Sequence, residues 1–183
     1  MSSAKRLCVF CGSALPRDPS YRDAAALLGT LIGRLGNELV YGGGRVGLMG
    51  ILADAALAAG GRVVGVIPLA LHDREVGHDG VSEMVVVGDM HERKRRMFEL
   101  SDAVAVLPGG LGTLDEAFEA ITLCQIGLMA KPIVLVNIGA YWAPLLALID
   151  QVIAAGFARP DARQLYRVVA RVEDVLPACF DPV

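Results

Sequence analysis

An excess of basic residues is missing from this chain of 183 residues: 17 Lys and Arg face 20 Asp and Glu, for a net charge of −3 and a pI near 5.6. With no electropositive footprint, nucleic acid is excluded as a partner bound through nonspecific charge. Long apolar runs are missing as well. The most apolar stretch, Ile126 to Ile149, is broken by Lys131, Pro132, Asn137, Gly139 and Pro144, whereas a spanning helix wants roughly 20 uninterrupted apolar residues. Near the N-terminus, Lys5 and Arg6 precede only the short run Leu7 to Phe10, and no small-residue cleavage site follows. The expectation is a cytoplasmic protein with no membrane partner. Cysteine is scarce: Cys8, Cys11, Cys124 and Cys179 are too few for a disulfide scaffold, and their thiols are expected to be reduced. Cys8 and Cys11 have C-x-x-C spacing, but no second pair exists and the motif opens no helix, so they read as core thiols. The histidines, His72, His78 and His91, show no H-x-x-x-H spacing, so no metal site is expected.

What the chain does have is apolar mass. Hydrophobic residues make up 54% and charged residues 20%, with a mean hydropathy of +0.51. That balance excludes disorder. The length suits one compact domain spanning residues 1–183. Apolar content at this level exceeds what a small monomer hides, which points to a subunit interface.

Short apolar runs alternate with helical periodicity. The pattern predicts strands at Leu7–Phe10, Leu39–Tyr41, Val63–Ile67, Met84–Val87, Ala103–Leu107 and Ile133–Val136, with a short strand near Val168–Val172. Between them it predicts helices at Ser20–Gly36, with Ser20 as N-cap, and at Leu48–Ala59, Met90–Leu100, from about Gly112 to Gly127, and Tyr141–Ala155. A polar loop over Leu69–Gly80 and a last helical turn near Glu173–Phe180 complete the reading. Alternating strands and helices, with strands that are continuous Val/Leu/Ile runs, define an α/β fold: a doubly wound parallel sheet flanked by helices. In such sheets ligands sit at the carboxyl ends of the strands, near a switch in strand order.

Two glycine-rich turns follow strands. Gly42, Gly44 and Gly47 satisfy G-x-G-x-x-G, but a dinucleotide site also wants an acid about 20 residues on, where Ile67 and Pro68 stand. Close packing, or backbone N–H groups lining a pocket, remain as its readings. Pro108-Gly109-Gly110-Leu111-Gly112-Thr113 is the stronger signal. Its glycines bare the backbone N–H groups, the positive end of a helix faces the same point, and Thr113 adds a hydroxyl donor. No Lys follows as in G-K-[ST], so one phosphate suits it better than a triphosphate. A turn made only for packing is the competing reading. Asp115 and Glu116 fall in the first turn of that helix, where acids complement the dipole. The segment Met90 to Met97 carries Arg93, Lys94, Arg95 and Arg96 in a row. Helical spacing predicts the pairs Glu92–Arg96 and Arg95–Glu99 on a solvated face. It turns Arg93 and Lys94 inward, where an anion or carboxylate should meet them.

These residues resemble a known family. Pro108 to Glu116 matches the PGGxGTxxE motif of the LONELY GUY (LOG) family, Met90-His91-Glu92-Arg93-Lys94 matches its second signature, and Tyr41 to Gly50 resembles its corresponding glycine segment. The resemblance covers nearly the whole chain. It implies a Rossmann-like fold, a homodimer, and a cytokinin riboside 5′-monophosphate phosphoribohydrolase. Such an enzyme cleaves the N-glycosidic bond of an N6-substituted AMP, a nucleoside 5′-monophosphate, to free base and ribose 5-phosphate. It further implies Arg93 and Glu116 as the catalytic pair. The implied substrate-binding positions are Glu75, Lys94, Gly109, Gly110, Leu111, Gly112, Thr113, Leu114, Asp115 and Thr122. Asp115 stands where many members carry Glu, and Leu111 where many carry Tyr. Many relatives bear a lysine decarboxylase label, but Lys5, Lys94 and Lys131 are the chain's lysines and none sits in a recognisable pyridoxal phosphate motif.

The chemistry expected of such a site needs neither a metal nor a redox cofactor. A carboxylate near the anomeric carbon stabilises an oxocarbenium-like state or takes a proton from water. Glu116 suits that role, one helical turn past the phosphate cradle, with Arg93 orienting it. A carrier or sensor that binds a nucleotide without cleaving it, or a hydrolase of plain AMP, would use the same cradle.

Overall fold

The computed structural model describes residues 4–72 and 77–181. Seven strands form one sheet: β1 (Arg6–Phe10), β2 (Glu38–Tyr41), β3 (Arg62–Pro68), β4 (Glu83–Val87), β5 (Ala103–Val106), β6 (Ile133–Val136) and β7 (Arg167–Val169). Every pairing is parallel and the order is β4-β3-β2-β1-β5-β6-β7. Among the described residues the α-helices are α1 (Pro19–Arg34), α2 (Gly47–Ala58), the single-turn α3 (Leu69–His72), α4 (Met90–Glu99), α5 (Leu111–Gln125), α6 (Ala143–Ala154) and α7 (Val175–Phe180).

The inner strands alternate between two buried faces, as the period-2 geometry of a strand requires, while the edge strands β4 and β7 are partly exposed. On β1, Leu7 and Val9 join one cluster, packed under α1, α2 and α7 with Leu28, Ile32, Leu52 and Val175. Cys8 and Phe10 join the other, packed under α4, α5 and α6 with Met97, Phe98, Ala117 and Leu145. Burial of each large side chain is worth roughly 1.5–3 kcal/mol, and both faces are dry, so the uninterrupted apolar strands are explained. The α/β reading and the core position of Cys8 and Cys11 agree with this architecture.

The chain winds outward from β1 to β4, then returns over α4 to β5, which lies against β1 on its other side. The switch point is therefore between β1 and β5, and their carboxyl ends part there. The turns that follow are tied together: Leu107 N–H donates to Phe10 O at 2.9 Å and Gly12 N–H to Pro108 O at 3.2 Å. The N-terminus of α2 docks on the first turn, with Leu48 N–H donating to Gly12 O at 3.0 Å. Gly47 adopts φ +62° there, a conformation that favours glycine, and a methyl group on it would collide with the Ser13 carbonyl.

Local expectations differ in detail. The N-cap of α1 is Asp18 rather than Ser20: Asp18 Oδ1 accepts from Ser20 N–H at 2.9 Å, and Pro19 takes the first helical position, where a missing N–H costs nothing. Glu92 does not pair with Arg96. It closes a cap, its Oε2 accepting from Gly88 N–H at 2.7 Å while Asp89 Oδ1 accepts from Glu92 N–H at 2.8 Å. Arg96 turns to Glu99 instead, at 3.0 Å, and Arg95 reaches the same acid at 3.9 Å. Helix α5 begins at Leu111, one residue before the expected start. The polar loop after β3 opens with α3, and the helix expected from Tyr141 starts at Ala143 after a 3-10 turn, Ile138–Ala140. The last strand is Arg167–Val169, ahead of its expected Val168–Val172 placement.

Candidate active site

Helix N-termini in this fold are closed in different ways. α1 and α4 are closed by the carboxylates of Asp18 and Asp89. α5 is not: its N-cap is Gly110, which offers no side chain. The first N–H groups of a helix have no partner within it, so those of Leu111, Gly112 and Thr113 face the cavity beside them. The positive end of the helix dipole adds to their pull on an anion. The preceding turn is clamped from outside, where Tyr141 Oη donates to Gly109 O at 2.6 Å and the Tyr21 ring meets Tyr141 edge-on at 5.6 Å. Gly109 itself must be small, since a methyl group there would overlap Thr113 Oγ1 and approach Gly12 N to 2.8 Å.

The cavity, of about 230 Å³, lies at the switch point. The uncapped turn of α5 forms one wall and Glu116 another. Arg93 enters from α4, and Met49, Leu71 and Met90 supply apolar surface. Glu116 is only 8% exposed. Burial pushes its carboxyl up to about 7; Arg93 works against that shift, Asp115 adds to it, Lys94 opposes it and Glu119 adds to it. A carboxyl poised near neutrality can both hold and release a proton under physiological conditions.

Arg93 is 5% exposed, and its guanidinium is braced by main chain. Nε donates to Val66 O at 3.0 Å, Nη2 donates to Gly42 O at 2.6 Å, and Nη1 meets Met90 Sδ at 3.6 Å. Among the described residues Arg93 makes no direct ion pair with Glu116; the two share the cavity wall. This also explains the first glycine turn. Gly42 lies so close to Nη2 that any side chain would displace the guanidinium. The first glycine of the G-x-G-x-x-G pattern thus accommodates a cation of the protein itself.

The other expected positions divide. Gly109 and Gly110 form the turn, and Leu111, Gly112 and Thr113 the open first turn of α5. Leu114 points away and packs against the core beneath α4 to α6. Lys94 and Asp115 stand behind the cavity and bond each other at 2.7 Å. Thr122 lies two turns further along α5, in a separate groove with Phe118, Leu148 and Val152. Glu75 lies outside the described residues. Sequence reasoning missed Met49, Leu71, Met90 and Tyr141, whose roles depend on contacts between distant segments. Cys11, in the core as expected, also borders the cavity, and burial raises its thiol pKa far above the usual range.

Fold and site together define a doubly wound α/β protein with a helix N-terminus free of any side-chain cap at its switch point and a buried acid and guanidinium beside it. A family model described as "Possible lysine decarboxylase" matches residues 49–179. The cytokinin riboside 5′-monophosphate phosphoribohydrolase LOG1 of Arabidopsis thaliana is 44% identical, over 96% of this chain and 86% of its own. The rice (Oryza sativa subsp. japonica) enzyme LOG is 43% identical, over 96% of this chain and 76% of its own. Among solved structures, the molybdenum cofactor carrier protein of Chlamydomonas reinhardtii superposes with a TM-score of 0.73 at 22% identity, over 96% of this chain and 95% of its own, a likeness of fold alone. The chain belongs to the LONELY GUY (LOG) family.

The decarboxylase description implies pyridoxal phosphate, which needs a lysine amine beside an anion cradle. The residues do not fit it. Lys5 is exposed ahead of β1, Lys94 is tied to Asp115 and Glu119, and Lys131 donates to Phe98 O and to Ser101 O. No lysine lines the cavity.

Proposed function

We propose that this protein hydrolyses the N-glycosidic bond of a cytokinin riboside 5′-monophosphate, releasing the N6-substituted adenine and ribose 5-phosphate. The observation that carries this reading is a buried acid one helical turn from an uncapped helix N-terminus, within one cavity. The 5′-phosphate docks on the N–H groups of Leu111, Gly112 and Thr113, with Gly109 and Gly110 baring the approach. The ribose then lies against Glu116. As the bond from C1′ to the base nitrogen breaks, positive charge develops on the sugar. The Glu116 carboxylate stabilises it and takes a proton from the water whose oxygen bonds to C1′. The departing base carries away the bonding electron pair and takes up the proton that Glu116 received from the water. Arg93 faces the sugar hydroxyls and keeps Glu116 partly ionised. The relatives named as phosphoribohydrolases support the same reaction. Incubation with N6-isopentenyl-AMP, followed by chromatography, is expected to give free base and ribose 5-phosphate in equal amounts. Nucleotide bound but recovered intact would replace the hydrolase reading with that of a carrier, and faster cleavage of plain AMP would overturn the assigned substrate.

The same reading makes the protein a homodimer. Phe118, Leu148 and Val152 are exposed beside the groove that holds Thr122, and covering that apolar face is what a second copy would do. Thr122 can then serve substrate only across the interface. Light scattering is expected to give twice 19.3 kDa for the native chain and a single-chain mass for Phe118→Asp. A native mass of one chain would refute the dimer.

A further inference from the structure

Helix α5 carries three acids within two turns, Asp115, Glu116 and Glu119, and Glu116 alone of them opens on the cavity. The other two meet one cation. Lys94 Nζ lies 2.7 Å from Asp115 Oδ2 and pairs with Glu119 as well. Its side chain is 6% exposed, against 61% for Asp115 and 31% for Glu119, so the ammonium is the buried member of the trio. Two carboxylates on one ammonium leave the cluster net negative. A phosphate dianion would be repelled there, and Lys94 does not line the cavity. Its neighbour Arg93 does, one step along α4.

We propose that Lys94 is a positioning residue for the hydrolysis and not a substrate ligand: it pins α4 to α5, which sets Arg93 opposite Glu116, and it offsets part of the charge of the two acids that flank Glu116. This rests on the hydrolase reading. The groups facing Glu116 are Asp115 and Glu119 from its own helix, Arg93 and Lys94 from α4, and the Cys8 and Cys11 thiols from β1, which burial keeps protonated. Of the two cations, Arg93 is held by main-chain carbonyls, so Lys94 alone answers the extra acids.

Lys94→Met keeps the buried stem and removes the charge. Its KM is expected to stay within threefold of the native value while kcat falls tenfold or more. The acid limb of the pH–rate profile is expected to move to higher pH, because a carboxylate beside two uncompensated negative charges holds its proton longer. Adding Glu119→Gln to that variant should move the limb back and recover part of kcat, which a general folding defect would not do. A KM raised tenfold with the limb in place would make Lys94 a substrate ligand and overturn the proposal, as would a limb and kcat both unchanged. A second readout needs no substrate: the pH above which the gap between the thermal stabilities of the Glu116 and Glu116→Gln proteins stops growing, which the folded-state carboxyl sets. That pH is expected to rise in the Lys94→Met background. Failure of the native protein to cleave nucleotide while this pH still moves sinks the hydrolase reading alone; an unmoved pH sinks the Lys94 inference even in an active enzyme.

Discussion

Glu116→Gln is expected to lower turnover by about 10²-fold or more while leaving nucleotide affinity nearly unchanged. The amide keeps the shape of the side chain but can neither accept a proton nor carry the negative charge that a cationic sugar needs. Full activity in this variant would remove Glu116 from the mechanism. The native profile should show the same group: activity rises with pH and levels above about 7, as the carboxyl ionises. Stability moves the opposite way. The folded protein holds the Glu116 proton up to about pH 7 and the unfolded chain only up to about 4.5, so across that window the folded state binds more protons. Stability therefore falls as pH rises from 4.5 to 7 and stays reduced above. The full penalty is about 3 kcal/mol. The glutamine variant, which never ionises, should be the more stable protein at pH 8 and gain nothing at pH 4. Differential scanning calorimetry at the two pH values separates these outcomes.

Arg93→Met is expected to lose both activity and stability. The guanidinium is the donor for the buried carbonyls of Val66 and Gly42. Removing it strands both acceptors at a cost of about 2–4 kcal/mol, and turnover falls with it, by about 10²-fold or more. Arg93→Lys should rescue only part, because an ammonium lacks the planar fork that reaches two acceptors at once. Urea denaturation and the hydrolysis assay read the two losses separately. A methionine variant as stable as the native chain would show that the two carbonyls need no brace.

Much of this was legible in the chain, and for physical reasons. The sheet follows from apolar runs of four to five residues between amphipathic segments, because strands buried on both faces leave no polar alternation to read. The inward turn of Arg93 and Lys94 followed from helical spacing against Met97 and Phe98, and both are buried. Local cap chemistry was less legible, since Asp18, Pro19 and Ser20 compete for one position and the chain's angle of entry decides. The purpose of Gly42 was illegible. Its requirement for a bare backbone comes from a side chain 51 positions away, brought against it by the α4 crossover. Tyr141, 32 positions from the carbonyl it clamps, gave no signal for the same reason.

The brace on Arg93 has a bearing on how such a sequence drifts. Its acceptors are main-chain oxygens, which every amino acid supplies. Val66 can be exchanged for any residue that fits the sheet without moving the guanidinium, so descendants are free to diverge along β3 while keeping the cation in place. Only position 42 is denied that freedom. A brace built from acidic side chains would have tied several codons together; this one leaves a single glycine as its trace in the genetic text.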